Sequence, residues 1–419
     1  MQPELRGPAG QPPYSLSVHP SPHLVIGLVA AGMIIGTAGL ALCWRAVRKG
    51  RRYRPGALMA AGLLVTAAFA LMPPVGSADH LNYAAYGRMA VLGHDPYSTS
   101  AVDVPGDPVI SEVEEWRRTP SVYGPVATGT QALASWVGGD SVRLTVFVLS
   151  LFNALAFALT AWILYRTADT DERRLRVALL WTCNPLLLYH LVGGAHNDAL
   201  AVCPMVAGLA LFAARRGRPG TVPRSLGAGA LIAVGGAIKV PAALVGGGLA
   251  WALARDGREP GARGSAALRL AALAAGALAV TAATYAFAGP HTFDQLRRAA
   301  DQVSLATPWH LVDLLVGREK RVFIKIGWLT LFAVLAVLLA RALPRVRPAA
   351  GAPTRGARAS GSRRRWCWPG CWPRPTSCPG TAGSRGPRSR CCRGRGSTGC
   401  CWRTPPRSAS ATCPPATRS

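Results

Sequence analysis

The chain carries eight continuous apolar blocks of helical length, at residues 23–44, 57–75, 142–165, 177–193, 197–214, 225–254, 266–288 and 323–342. A hydrocarbon layer about 30 Å thick is crossed by a helix of about 20 apolar residues. Repeated blocks of that length exclude a soluble globular fold, whose helices are apolar on one stripe only. Only 16% of the residues are charged, against about 25% in soluble domains. The expected fold class is all-α: a polytopic transmembrane helical bundle of about eight to ten helices. A ninth block, 125–138, is shorter and rich in Gly, Thr and Ser. It is expected as a re-entrant or interfacial helix. Lys239 and Pro241 stand in the middle of 225–254. Proline breaks helices and a lysine at the bilayer centre is costly, so two short helices are expected to meet there.

The net charge of +28 looks like a nucleic-acid signature. Half of it, 14 Arg, lies in residues 351–419, which hold no Asp, Glu or Lys. Much of the remaining positive charge sits in short loops between apolar blocks, where it reports topology. No nucleic-acid partner is expected. The basic loops are 45–56, 166–176, 215–224, 255–263 and 341–347. All five fall on one side if 125–138 does not span and 225–254 crosses twice. That side is expected to be cytoplasmic, with the N-terminus outside. The opposite, extracytoplasmic face then receives the loop 77–124, Gly193–Asp198, the Lys239–Pro241 turn and the loop 289–322. The expected location is the plasma membrane, with multiple passes.

Three regions are expected. Residues 1–22 are polar and Pro-rich, without the pattern of a cleavable signal, and read as disordered. Residues 23–345 form the transmembrane domain. Residues 346–419 form a low-complexity Arg/Pro/Gly/Cys tail. From 351 onward only eight amino-acid types occur, with no Leu, Val, Ile, Phe or Tyr. That abrupt change reads as a frameshift in a GC-rich gene, the rival being a disordered basic tail. The tail's Cys367, Cys371 and later pairs lack the C-x-x-C spacing of a zinc site. Cys43, Cys183 and Cys203 lie in apolar blocks and read as small hydrophobes.

Asp79 directly follows an apolar helix. Asp79, Tyr83 and Tyr86 recur at helical spacing, on one face of an expected amphipathic helix. Asp79 is either an N-cap or a carboxylate placed for proton transfer. Trp116-Arg117-Arg118-Thr119-Pro120-Ser121-Val122-Tyr123-Gly124-Pro125 closes the loop. It reads as a structured loop, or as one whose arginines meet lipid phosphates. Asn184-Pro185 should kink its helix. The run Gly193-Gly194-Ala195-His196-Asn197-Asp198 puts three polar groups at a membrane boundary, as a simple turn or as part of a site. His196 has no second ligand at metal spacing on one helix, and no metal site is expected. Lys239 is either a snorkelling lysine or a site cation.

Together these motifs resemble the actinobacterial polyprenol-phosphomannose-dependent α-1,6-mannosyltransferases, integral-membrane glycosyltransferases of the GT-C fold. The resemblance rests on Asp79-x3-Tyr83-x3-Gly87, Gly93-x-Asp95-Pro96-Tyr97, Thr119-Pro120-x-x-Tyr123-Gly124-Pro125, Asn184-Pro185…His196-Asn197-Asp198 and Gly236-x-x-Lys239-x-Pro241. It covers about residues 25–345. It implies a polyprenyl-phosphate sugar donor, a glycan or glycolipid acceptor, inversion, and no cofactor. It makes Asp79 the base. Lys239, His196, Arg117 and Arg298 become candidates to stabilise the leaving phosphate, and Asn197, Asp198 and Tyr123 to orient sugar hydroxyls. Tyr83 joins the substrate-binding set. The family continues with further membrane helices that are missing here. Two other readings stay open. A transporter or flippase of lipid-linked sugar predicts midplane charges and internal repeats; an inactive truncated product predicts neither.

Overall fold

The computed structural model describes residues 5–16, 18, 20–213, 220–299, 307–316 and 321–342. The tail 346–419, Asp301 and the side chain of Arg298 lie outside the described residues. The chain divides into Met1–Leu338 and Leu339–Ser419; of the latter only the last helical turn, to Ala342, is described.

Among the described residues every regular element is helical. α1 (Pro22–Arg48) opens at Ser21, whose hydroxyl accepts from the Leu24 amide at 3.3 Å, and ends with Arg45 and Arg48 in its last turn. Hydroxyl caps, Pro at the first position and terminal cations each suit a helix of this polarity. α2 (Pro55–Ala70) and α3 (Asp79–Val91) follow. Two 3-10 turns, Ala101–Asp103 and Ile110–Glu112, lead to α4 (Pro125–Gly138) and α5 (Val142–Thr167). α6 (Asp171–Val177) runs into a π-helical turn, Ala178–Thr182; α7 (Pro185–Leu187) runs into another, Leu188–Gly193. α8 (Asp198–Phe212) precedes α9 (Val222–Gly236), a 3-10 turn (Val240–Ala243) and α10 (Leu244–Asp256). α11 (Arg263–Ala288), α12 (Thr292–Ala299), α13 (Pro308–Val316) and α14 (Arg321–Ala342) complete the described chain.

Among the described residues four helices are long and apolar enough to cross a membrane: Pro22–Arg48, Val142–Thr167, Arg263–Ala288 and Val322–Ala342. The pair Asp171–Thr182 and Pro185–Gly193 makes a fifth if counted as one bent span. Its 41° bend falls at Asn184-Pro185, where proline removes a helical donor. α2 and α8 are shorter apolar helices. The break in 225–254 falls at Lys239–Pro241, between α9 and α10. α1 buries none of its residues, although it is strongly apolar. Helices with apolar exteriors and satisfied backbones are what lipid admits. The protein is an all-α helical membrane protein.

α5 forms the centre. Val142, Val146 and Leu149 pack with Tyr83 and Ala84 of α3. Phe157, lower on the same helix, packs with Leu188 and Leu191 and stacks on Trp181 at 5.0 Å. α9 and α11 touch backbone to backbone. A Cβ on Gly229 would collide with the Leu273 carbonyl, and one on Gly276 with that of Leu226. Small residues allow this approach where lipid supplies no hydrophobic drive.

One expectation is corrected, at α3. Residues 5–16, part of the segment 1–22 read above as disordered, are packed against the body. Leu5 is in the α3–α5 core, the Tyr14 amide donates to the Leu71 carbonyl at 2.7 Å, and Ser141 Oγ donates to Gln11 at 2.7 Å. α3 is buried around most of its circumference rather than on one face. The 3-10 turns and α4 cover the side that an amphipathic surface helix would leave to water.

Candidate functional site

Segments far apart in sequence meet at the start of α3. The Val75 amide donates to the Gly193 carbonyl at 2.8 Å, tying the approach to α3 to the loop before α8. Ser77 Oγ accepts from the Asp79 amide at 3.1 Å. Ala78 holds the N-cap position, and no side chain caps the helix. Asp79 is thus the first helical residue, placed well against the helix dipole, with its carboxylate not committed to capping. It is 29% exposed.

His196 Nδ1 stands 3.6 Å from Asp79 Oδ2, beside the carboxylate but too far for a hydrogen bond. The His196 ring stacks on His190, centroids 4.4 Å apart. Burial, and then the neighbouring His190, hold His196 below the usual histidine range against the pull of Asp79 and Asp198. The ring is therefore neutral at pH 7. His80, buried behind Asp79, is pushed down to about 4 by burial, and its Nδ1–H donates to the Ser77 carbonyl at 3.0 Å.

The Tyr123 hydroxyl donates to Tyr83 Oη at 3.2 Å, the rings meeting edge to face at 5.1 Å. Burial pushes the Tyr123 phenol up to about 12 and that of Tyr83 further. Both remain neutral, and the Tyr83 hydroxyl keeps its own proton to donate. Both phenols feel Asp79 and Asp198, so the tyrosine pair and the two carboxylates share one recess.

Lys239 enters from the α9–α10 break. Its Nζ lies 2.8 Å from each carboxylate oxygen of Asp198. The pair is partly exposed, at 42% and 34%. Two of the three ammonium protons serve Asp198, leaving one. The break is tied to the Tyr123 loop: the Gly124 amide donates to Ile238 O at 3.1 Å and the Val126 amide to Ala237 O at 3.0 Å. A Cβ on Gly124 would collide with the Ala237 carbonyl, so only glycine lets the two strands of backbone lie this close. Asn197 is 1% exposed, and neither polar atom of its side chain has a protein partner among the described residues.

The structure thus brings together Asp79, Tyr83, Tyr123, His196, Asp198 and Lys239, with Asn197 beside them. It does not bring in Arg117, whose side chain is exposed and whose carbonyl accepts from the Val102 amide at 3.2 Å. Arg298 belongs to α12, and its side chain lies outside the described residues. Sequence reasoning missed His190, His80 and Asn153. Asn153 Nδ2 donates to the Ala195 carbonyl at 2.9 Å from within α5. The available signal was a polar amide in an otherwise apolar span, which marks function or packing in lipid.

Two cavities adjoin the recess. One, of about 460 Å³, is almost wholly apolar and lies between α9, α10 and α11; Ala237 and Val240, either side of Ile238-Lys239, line it with Gly247, Ala277, Tyr285 and Phe293. The other, of about 520 Å³, is lined by His94, Asp95, Tyr97, Thr128, Thr284 and Phe287. Pro125 and Val126, next to Gly124, also line it.

Apolar helices with Asp79, Tyr83, Tyr123, His196, Asp198 and Lys239 gathered in one recess define a helical membrane protein with a candidate site at its helix ends. Comparison with known proteins supplies the family. Residues 9–255 match the family described as Alpha-(1->6)-mannopyranosyltransferase, N-terminal domain, and the chain belongs to it. It is 31% identical over 172 residues to Alpha-(1->6)-mannopyranosyltransferase A of Corynebacterium glutamicum, covering 41% of this chain and 34% of the relative. It is 31% identical over 242 residues to the Mycobacterium tuberculosis protein of the same name, covering 56% and 45%. A Mycolicibacterium smegmatis protein, a probable alpha-(1->6)-mannopyranosyltransferase, is 36% identical over 154 residues, covering 35% and 27%. The chain therefore spans less than half the length of each of these relatives. No solved structure matches it.

Proposed function

We propose that the protein transfers a hexose, mannose by family, from a polyprenyl-phosphate donor to a glycan or glycolipid acceptor on the extracytoplasmic face, with inversion. The observation that carries this reading is the uncapped Asp79 carboxylate, set beside a neutral imidazole, two neutral phenols and a lysine with a spare proton. In the proposed step the acceptor oxygen attacks the anomeric carbon as its proton passes to Asp79. The bond from that carbon to the phosphate oxygen breaks, and its electron pair leaves with the phosphate.

Asp79 is the base, which needs reach to the acceptor hydroxyl. Lys239 offers its remaining N–H to the leaving phosphate, where charge develops. Asp198 keeps that ammonium in place. Tyr83, Tyr123 and Asn197 supply hydrogen bonds to sugar hydroxyls, and His196 flanks the base. The apolar cavity beside Lys239 suits the first isoprene units of the donor, since apolar contact there costs no polar desolvation. Arg117 and Arg298 are retained as phosphate contacts made only with donor bound.

The test is transfer of radiolabelled mannose from polyprenyl-phosphate mannose to a mannoside acceptor by the chain in proteoliposomes. Transfer by the native chain and none by a folded Asp79→Asn variant is the expected result. No transfer by the native chain from any polyprenyl-phosphate hexose would refute the reading.

A further inference from the structure

The loop that carries His196 is held in an unfavourable shape by a residue from a membrane helix. Ala195 has φ of +50°, the left-handed region that non-glycine residues seldom occupy. It is fully buried, as is Asn153 in the middle of α5. Among the described residues the Ala195 carbonyl receives one side-chain hydrogen bond, from Asn153 Nδ2 at 2.9 Å. The same loop is gripped from the other side by the Val75 amide on the Gly193 carbonyl. The next residue, His196, faces Asp79 and stacks on His190. Its amide-linked neighbour Asn197 is buried, and its side chain has no partner among the described residues. A left-handed alanine persists only where surrounding contacts over-determine it; the Ala195 amide donates to the Val192 carbonyl at 3.0 Å, and Asn153 is the side chain that holds its carbonyl.

We propose that Asn153 is a positioning residue: its amide holds Ala195 in the left-handed conformation, and so sets His196 against the Asp79 carboxylate. This rests on the transfer reading for its kinetic consequence, though not for its structural one. Asn153 touches no substrate. It acts through the backbone of Ala195 on the ring that flanks the base.

The first measurement needs no turnover. Histidines of the full chain in detergent are acylated with diethyl pyrocarbonate and quantified by peptide mass spectrometry, with exposed His94 as internal reference. Asn153→Leu keeps the branching at Cγ, at a larger volume, and removes the donor. His196 acylation should rise at least about threefold relative to His94. Adding Ala195→Gly removes the cost of the left-handed backbone, so Asn153→Leu/Ala195→Gly should return acylation to within about twofold of the native value. Simple loss of packing on α5 would not be rescued from Ala195. Where the native chain transfers mannose, Asn153→Leu should lower kcat about tenfold with donor KM within about twofold, and Asn153→Leu/His196→Ala should be no slower than His196→Ala.

Unchanged His196 acylation, absence of rescue by Ala195→Gly, or a double variant slower by the product of the single effects would each overturn the proposal. If Asn153→Leu fails to reach the membrane, Asn153→Ser, too short to reach the Ala195 carbonyl, takes its place with the same expectations. An inactive native chain with His196 labelling that responds as stated would refute the transfer reading and leave this one standing.

Discussion

At Asp79 the chain needs a carboxylate that the helix it opens does not consume. Ala78 at the cap and Ser77 on the Asp79 amide achieve this. Asp79→Asn keeps the shape and removes the proposed base. Transfer should fall by about 10² to 10⁴, with the melting temperature held to within about two degrees; full activity in the folded variant would remove Asp79 from the role. His80, one residue on, serves stability instead. Its folded value of about 4 lies below the free histidine value of 6.5. The unfolded chain therefore takes up the proton first as pH falls. Stability from this residue is fully present above about pH 6.5 and drains away toward pH 4, by an amount on the order of 3 kcal/mol. Melting curves between pH 7.5 and 4.5 should show that decline, and His80→Gln should make it shallower. An identical slope in the variant would show that His80 is not buried as described.

The joint between the Tyr123 loop and the α9–α10 break is an element-scale device. It rests on Gly124 lying against the Ala237 carbonyl. Gly124→Ala should cost about 1–3 kcal/mol by overpacking, seen as a melting temperature several degrees lower. Gly129→Ala, on the same helix α4 and facing open space, should match or exceed native stability, because alanine is the better helix former. Loss in both would point to helix α4 as a whole rather than to the contact. The groove between α9, α10 and α11 makes a second element-scale prediction. Gly247→Leu introduces a side chain into open space there. Donor KM should rise several-fold for long polyprenyl chains and much less for short ones; an equal rise for both would place the lipid tail elsewhere.

At the scale of the whole molecule, the basic loops are expected to set sidedness. His94 lies in the loop 77–124 and Arg173 in the basic loop 166–176, and both are exposed. In intact cells a membrane-impermeant maleimide should modify His94→Cys and leave Arg173→Cys unmodified until the membrane is opened. The reverse pattern would invert the topology and put Asp79 in the cytoplasm. The predicted outside location of Asp79, Gly193–Asp198 and Lys239 requires that these segments be able to meet. The contacts Val75–Gly193, Asp79–His196 and Asp198–Lys239 join them.

The sequence by itself determined that the chain is a bundle of membrane helices, where the apolar blocks lie, and where two of them break. Those follow from block length and from proline, which act locally. The resemblance to the family, carried by short motifs, also singled out Asp79, Tyr83, Tyr123, His196, Asp198 and Lys239. Only the tertiary structure decided what these residues do to one another. No spacing rule says that Lys239 answers Asp198 across 41 residues, that Tyr83 and Tyr123 share a hydrogen bond across 40, or that Asn153 reaches Ala195 across 42. Nor could it show that residues 5–16 pack on α5, because a short polar stretch orders only when a surface is offered to it. Burial, too, belongs to the fold. It holds His80 and His196 neutral, and burial depends on which helices happen to stand alongside.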